Sequence, residues 1–416
     1  MNLATLDILR CPYCGGRLDL VTAMFHRRDG DDIQDGILGC QCCIFAIVDG
    51  IPIMHLEGSS TLARAHVEAG RPDLARRAMF NLDDEAHAAR FDEAASSQAA
   101  TYRDVVDALG PTFEGGYFLY RFSDPTYIVA DAVVRSVAGT VLKNGGRAID
   151  LCGGSGHLTR TLLDLSSTAP VLADLYFSKI WLAGRFTAPG CEGVCCDGNA
   201  PFPFARGAFR YAMCTDAFMY IWTKRQFVGE MTRLIDDGGG GDGAIVIGHT
   251  HNERSWSPSH GQPLNQDGYR NLFETIEPRI FGEAGLFGDV VKGGPLDLSR
   301  RDPPDVIDAD PALTIVASRN AGVFKPHALQ AAAAPRGEYR LNPLYAGQQD
   351  GDRTTLRLRF PNEDYEEEYG ACRQYLPEEV TVTAAVLGRL AEGRLTPELA
   401  ELARRRVVLD LPRRYY

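Results

Sequence analysis

The stretch Arg147–Leu162, RAIDLCGGSGHLTRTL, constrains the fold more than any other part of this 416-residue chain. A short apolar strand, Ala148–Leu151, runs into Cys152-Gly153-Gly154-Ser155-Gly156, and a helical pattern, His157–Leu165, follows directly. Glycines at a strand-to-helix turn let the backbone approach a ligand closely and present amide N–H groups at a helix start. The next apolar run, Pro170–Leu175, carries Asp174, 18 residues beyond Gly156. An acid there can accept hydrogen bonds from ribose hydroxyls. Turn and acid together predict a nucleoside-containing cofactor.

The surrounding pattern is α/β. Strand candidates are Ala148–Leu151, Val171–Leu175, Gly193–Cys196, Tyr211–Cys214, Ala244–Gly248, Asp289–Gly293 and Ala312–Ser318, with helical patterns between the first five. The last two flank a polar, proline-containing loop and read as an antiparallel hairpin closing a Rossmann-like mixed sheet. Gly238–Gly243 is a flexible turn before a strand, because no helix pattern follows it directly. Four segments are expected: 1–57, cysteine-rich; 58–112, a partly exposed helical connector; 113–320, the α/β unit; and 321–416, a C-terminal α+β extension without a chemical motif. In that extension Thr354–Phe360 alternates like a strand, Asp364–Glu368 is a solvated acidic run, Ala331–Ala334 is a linker piece or helix end, and Val380–Arg405 is helical.

In the first segment Cys11-Pro-Tyr-Cys14 and Cys40-Gln-Cys42-Cys43 form two knuckles some 25 residues apart, joined by a short polar hairpin. Each knuckle turns two thiolates toward one point, which suits tetrahedral zinc. The ligand set is Cys11, Cys14, Cys40 and Cys43, with Cys42 as the alternative to Cys43 because adjacent thiols leave the register open. Four thiolates close the site, so the zinc is structural. An odd total of eleven cysteines, unevenly clustered, fits a reducing compartment better than a disulfide framework.

Two resemblances follow from these residues. A dinucleotide fingerprint would need a third glycine where Thr159 stands, whereas Asp150, Gly154 and Gly156 match D-x-G-x-G-x-G. That is motif I of the class I S-adenosylmethionine (SAM) methyltransferases, with Cys152 at the place of its first glycine. The segment LDILRCPYCGGRLDL…GCQCCIFAIVDGIPIM resembles the small zinc-ribbon activators of tRNA, rRNA and protein methyltransferases, including the strand ending Asp49-Gly50-Ile51-Pro52. It covers residues 3–54. The methyltransferase resemblance implies that Asp174 takes the ribose, that Asp197 takes the adenine amino group, and that Gly198 and Asn199 line the ring. The expected cofactor-lining set is Asp150, Cys152, Gly153, Gly154, Gly156, Asp174, Leu175, Asp197, Gly198, Asn199 and Thr215. Arg121 either holds the cofactor carboxylate by a charge-assisted bond or is a surface arginine beside an aromatic helix that includes Tyr117 and Tyr120.

Open α/β sheets bind ligands at the carboxyl ends of their strands. This puts Thr215, Asp216 and Tyr220, together with His249 and His251, near the transferred methyl group. Methyl transfer needs alignment and, for a protonated nucleophile, a base. Neutral histidine suits that task, and tyrosine, with an unperturbed pKa of about 10, suits it poorly. The catalytic candidates are therefore His251, His249 and then Tyr220. His260 is a remote third ligand should the histidines bind metal. The loop His249–Pro263 is rich in His, Asn, Ser and Trp and is expected to contact substrate.

Net charge is −12, from 43 basic and 55 acidic residues. That disfavours a broad phosphate-binding surface and strong nucleic-acid binding, while leaving room for a local basic patch. The leading expectation is a SAM-dependent methyltransferase acting on a small or medium organic acceptor, of the kind met in secondary metabolism. The alternatives are an rRNA or tRNA methyltransferase using Arg10, Arg17, Arg27 and Arg28 of the ribbon, and a non-catalytic SAM-binding scaffold. The extension offers a lid or a homodimer contact. No apolar run reaches a membrane span, and no secretory signal pattern opens the sequence; the expected location is cytoplasmic.

Overall fold

The computed structural model describes residues 1–110, 118–236, 238, 241–257, 261–329, 335–390, 392–393 and 396–416. Tyr117, His260, the alanine run 331–334 and part of the glycine run 238–243 lie outside the described residues.

Residues 1–57 build a small antiparallel sheet. Its strands are β1 (Asp19–Leu20), β2 (Arg27–Asp29), β3 (Asp32–Gly39), β4 (Ile44–Val48) and β5 (Ile51–Pro52), in the order β1-β3-β4-β5 with β2 on β3. The turn between β4 and β5 is Asp49-Gly50, with φ of 47° and 79°. Two such residues in succession make the tight turn that a twisted hairpin favours.

The central sheet has seven strands: β6 (Ala148–Leu151), β7 (Val171–Asp174), β8 (Glu192–Cys195), β9 (Tyr211–Thr215), β10 (Ala244–His251), β11 (Pro278–Gly282) and β13 (Ala312–Ser318), with β12 (Leu296–Asp297) in a separate two-stranded pair. The order is β11-β13-β10-β9-β6-β7-β8, and β13 is antiparallel to both its neighbours. This mixed α/β sheet with one reversed strand is the Rossmann-like arrangement that the methyltransferase resemblance implies. The order reverses beside β6, so the strand ends there frame a crevice.

One expected strand is misplaced in the sequence reading. Asp289–Gly293 is the end of a helix, Glu283–Lys292, and the strand is Pro278–Gly282. Leu286, Phe287 and Val290 repeat at helical spacing and face the core. Gly293, at φ 64°, ends the helix in a left-handed cap. The antiparallel closing pair therefore has a long connection.

Residues 59–109 form four helices, Ser59–Glu68, Pro72–Met79, Glu85–Ser96 and Tyr102–Leu109. They are more buried than the sequence suggests: Phe91 and Tyr102 are fully enclosed, and Phe80, Phe91 and Trp181 pack ring to ring. The extension holds the antiparallel sheet β16 (Tyr345–Asp350), β17 (Arg353–Leu358) and β18 (Glu379–Thr383). The expected helix from Val380 begins as β18, because Val380 and Val382 alternate between β-branched threonines; helices Ala384–Leu390 and Pro397–Arg404 follow. Near the end of the chain, Tyr415 is fully buried, stacked on Tyr102 and bonded to His157 Nε2 at 2.7 Å. No helix among the described residues is long and apolar enough to cross a membrane.

The ribbon and the sheet share one hydrophobic core. Leu9, Phe45, Ile47 and Met54 pack with Val171, Val194 and Phe204. Ile53 runs parallel to Cys195, and the Met54 amide donates to the Cys195 carbonyl at 2.7 Å, so the ribbon covers the β8 edge. On the other side, Asp49 accepts from Trp181 Nε1 at 3.0 Å. Phe91, fully buried, should cost about 3–5 kcal/mol on truncation to alanine. A lowered urea midpoint for Phe91→Ala checks this, and an unchanged midpoint would mean that the connector does not share the core.

Candidate functional site

The glycine loop after β6 is shaped by close approach. A Cβ on Gly153 would sit 2.4 Å from Leu172 Cδ1 and 2.5 Å from Asp150 Cγ, so only glycine fits. Gly154 and Gly156 take φ of 55° and 75°. Cys152, where motif I has its first glycine, takes φ 57°, a conformation that strains a side-chain-bearing residue. Asp174 holds the loop: its Oδ2 accepts from the Gly154 amide and its Oδ1 from the Tyr176 amide, both at 2.9 Å. Asp150 lies beneath, accepting from Thr159 Oγ1 at 2.6 Å. Burial, reinforced by the charge of Asp174 and opposed by the Thr159 bond, pushes the Asp150 carboxyl up to about 7.

Asp197 and Gly198 follow β8. A Cβ on Gly198 would meet Ile221 Cδ1 at 3.0 Å and Cys152 Sγ at 3.3 Å, so this turn lies close against the glycine loop. Asp197 Oδ1 accepts from the Asn199 amide at 2.8 Å. Asn199 instead braces the structure: its Oδ1 accepts from the amides of Trp222 at 2.7 Å and Thr223 at 3.3 Å. Beside Asp197 lies a hollow of about 130 Å³, lined by Leu175 and Cys196, just past β7 and β8, and by Tyr13, Met54, His55 and Glu57 of the ribbon. The ribbon thus supplies one wall of the space next to the expected adenine contact, an arrangement with no local signature along the chain.

A buried charge cluster occupies the ends of β9 and β10. Arg121 is 5% exposed and bridges Asp124 at 3.1 Å and Asp216 at 3.2 Å. It is neither a surface arginine nor aimed only outward, since carboxylates of the chain already engage it. His249 Nδ1 meets Glu283 Oε2 at 2.7 Å, and Glu283 Oε1 accepts from the His249 amide at 2.8 Å and from Thr314 Oγ1 at 2.7 Å. Burial opposes a charge on His249, but the Glu283 carboxylate outweighs it and raises the imidazole to about 9. His249 is therefore a cation at neutral pH, which counts against it as a base.

Asp216 and His249 take φ of 56° and 47°, so with Cys152 three side-chain-bearing residues in left-handed conformation stand just past β6 and β9 and at the irregularity near the end of β10. The alternation expected through His249-Thr250-His251 is broken by a register shift against β13 between Ile247 and Thr250. The two rings nevertheless stand edge to face, 5.8 Å apart. His251 is 5% exposed, and Tyr269 donates to its carbonyl at 2.7 Å. Thr215 is buried, and its hydroxyl has no hydrogen-bond partner among the described residues. Buried polar groups are seldom left unpaired, so this atom fits a site that a ligand completes.

The rim is aromatic. Tyr176, Tyr220, Trp222 and Trp256 are each about half exposed or more, and Leu175 is 42% exposed. Lys224, missed in the sequence, fixes the Tyr220 turn by donating to the carbonyls of Ile221 at 2.6 Å and Met219 at 3.1 Å, and its burial lowers its pKa to about 8. The Gln262 amide donates to the Met219 carbonyl at 2.9 Å, which brings Gln262 against the same turn.

In the ribbon, the thiols that converge belong to Cys11, Cys14, Cys40 and Cys42, all within 4.8 Å of one another. Cys42, the alternative to Cys43, is the member of the adjacent pair in this group, and the Cys43 sulfur lies 3.3 Å from that of Cys42. The separations are 3.6 Å for Cys11–Cys42 and Cys40–Cys42 and 3.8 Å for Cys14–Cys40. Four sulfurs bound tetrahedrally at 2.3 Å would lie about 3.8 Å apart, so the set matches zinc. Burial works against ionisation of Cys40, but the amides of Cys42 and Cys43 donate to its sulfur and bring the thiol down to about 7.

No family model and no curated protein matches the sequence. Solved structures that match in part include a chain of the complex between the Haloferax volcanii Trm112 methyltransferase activator and a methyltransferase (15% identity, 44% of this chain and 89% of that one, TM-score 0.32). Another is the geranyl diphosphate C-methyltransferase of Streptomyces coelicolor A3(2), bound to Mg2+, geranyl diphosphate and S-adenosyl-L-homocysteine (13% identity, 44% and 76% coverage, TM-score 0.32). A third is the [4+2]-cyclase SpnF (12% identity, 44% and 79% coverage, TM-score 0.30).

Two outcomes are expected. Cys42→Ser should lower the zinc content of the purified protein, whereas Cys43→Ser should keep about one zinc per chain; elemental analysis of both decides which thiol is the ligand. The His249–Glu283 pair raises a histidine above its ordinary value of about 6.5. Its contribution to stability is therefore full below about pH 6.5 and is lost as pH rises through about 9. Glu283→Gln should remove that decline from the unfolding midpoint measured between those values; a decline of equal size in the variant would locate it elsewhere.

Proposed function

We propose that this chain is a SAM-dependent methyltransferase acting on a small or medium organic acceptor with apolar surface. One observation carries the reading: the Asp174 carboxylate pins the glycine loop at the sheet's crevice, with Asp197 at the end of the adjacent strand. The same crevice holds the unpaired Thr215 hydroxyl and opens onto an aromatic rim.

SAM, when bound, supplies an electrophilic sulfonium methyl. The residues of the chain do the rest. The Asp174 carboxylate oxygens accept the ribose hydroxyls. Asp197 accepts the adenine amino group, with Leu175 and the ribbon wall beside it. The Thr215 hydroxyl gains a partner, and the rim aromatics shield the acceptor from water. His249, held as an imidazolium by Glu283, cannot take a second proton; its outer N–H orients the acceptor. His251 then takes the acceptor's proton. Tyr220, half exposed at the rim, contacts substrate.

The RNA reading loses ground in the ribbon. Arg27 is neutralised by the buried Asp35 at 2.6 Å, and Arg10 and Arg28 donate to backbone carbonyls of their own segment.

Asp174→Ala should weaken SAM binding by roughly 1–3 kcal/mol. His251→Ala should leave SAM affinity nearly intact and lower turnover on the true acceptor by about 10²-fold or more. Calorimetric titration with SAM and a SAM-consumption assay separate the two effects. Full SAM affinity in a folded Asp174→Ala protein would refute the cofactor site; full turnover in His251→Ala would refute the base.

A further inference from the structure

At the far edge of the sheet a groove of about 350 Å³ lies along β11. It belongs to neither the crevice nor the ribbon. Its lining enters at Pro278–Ile280, the start of β11, whereas the Glu283 carboxylate that holds His249 follows the strand's other end. The groove and the methyl-transfer rim therefore face opposite ends of the sheet, separated by the strand's length of about 13 Å.

Five arginines converge on the groove: Arg270, Arg279, Arg300, Arg301 and Arg319. In a chain with an excess of twelve acidic charges, such a concentration calls for anions, and two of the five have them. Arg300 pairs with Asp289 at 2.5 Å and Arg270 with Asp267 at 3.5 Å. The other three have no carboxylate partner among the described residues. Arg279 donates to the Leu298 carbonyl and lies 4.1 Å over the Phe324 ring. Arg319 donates to the Thr275 carbonyl. Partial burial first, and the neighbouring positive charge of Arg301 second, lower the pKa of Arg279. Glu277 and Asp302 also line the groove, yet neither closes an ion pair with these arginines. The guanidiniums thus crowd one another, a cost that a bound anion relieves.

We propose that this groove binds an organic diphosphate, a nucleotide or a phosphorylated metabolite, at a site separate from the cofactor crevice. The three guanidiniums without a carboxylate partner, set against the Glu277 and Asp302 carboxylates on the same lining, leave the groove net positive, and the guanidinium fork suits paired phosphate oxygens. The volume is that of a small-molecule site, and Phe324 holds the plane of Arg279 at its wall.

The test is calorimetric titration of the full-length protein with inorganic pyrophosphate and with ADP at low ionic strength. Saturable binding is expected that weakens with added salt. It should fall about tenfold in Arg301→Ala and become undetectable in Arg301→Ala/Arg319→Ala, with the urea midpoint and SAM affinity unchanged. Arg301→Lys should retain part of the affinity. ADP binding more tightly than pyrophosphate supports an organic ligand. Absence of saturable binding to the unaltered protein overturns the proposal. So does equal binding in the double variant, which would leave these arginines as charges that blunt a sheet edge. Binding of an RNA oligonucleotide through these arginines without binding of pyrophosphate or ADP would also overturn it.

Discussion

Two carboxylates under one backbone loop set the terms for the rest of the molecule. Asp150 and Asp174 stand at the ends of neighbouring strands, both nearly buried. Asp174 is held by the amides of Gly154 and Tyr176, while Asp150 accepts from the Thr159 hydroxyl and is pushed up by burial. Burying carboxylates is costly unless donors meet them. The Gly154 amide is the donor that the loop supplies, so the loop takes a path that brings this amide to Asp174. That path leaves no room for a Cβ at Gly153 and forces Cys152 to positive φ.

Strain recurs where the other strands end. Asp216 and His249 adopt the same costly backbone region, and each is secured by charge: Asp216 by Arg121, His249 by Glu283. Such residues persist only when their surroundings over-determine them. Here the surroundings are a ladder of alternating charge reaching from Asp124 to Glu283. It draws together the segment before the sheet, β9, β10 and the helix after β11. A sequence pattern of single charged residues far apart in the chain carries no trace of it.

The ribbon is more than an appended module. Its last strand runs beside β8, its core merges with that of the sheet, and its residues Tyr13 and His55 reach the space beside Asp197. A cluster of thiols therefore braces one wall of the crevice from outside. The extension does the same from the opposite quarter: Arg160 pairs with Asp410 at 3.0 Å, and Tyr415 bonds to His157 just past the glycine loop.

Local chemistry made much of this legible in the sequence. Glycines before a helix, an acid closing the next strand, and cysteines in paired knuckles each act within a few residues, so the loop, Asp174, Asp197 and the ribbon could be read directly. Strands Ala148–Leu151 and Ala312–Ser318 were legible to the residue because buried runs of that length have few alternatives. The tertiary structure alone decided the remainder. It grouped Cys42 rather than Cys43 with the other three thiols, since adjacent thiols differ only in the direction a closed turn points them. It made Asp289–Gly293 a helix end, because the apolar face that fixes its period is completed by Leu286 and Phe287 upstream. It turned His249 into a cation through Glu283, 34 residues away. Proton affinity depends on which charges lie within a few ångströms, and that distance is set by folding rather than by spacing along the chain.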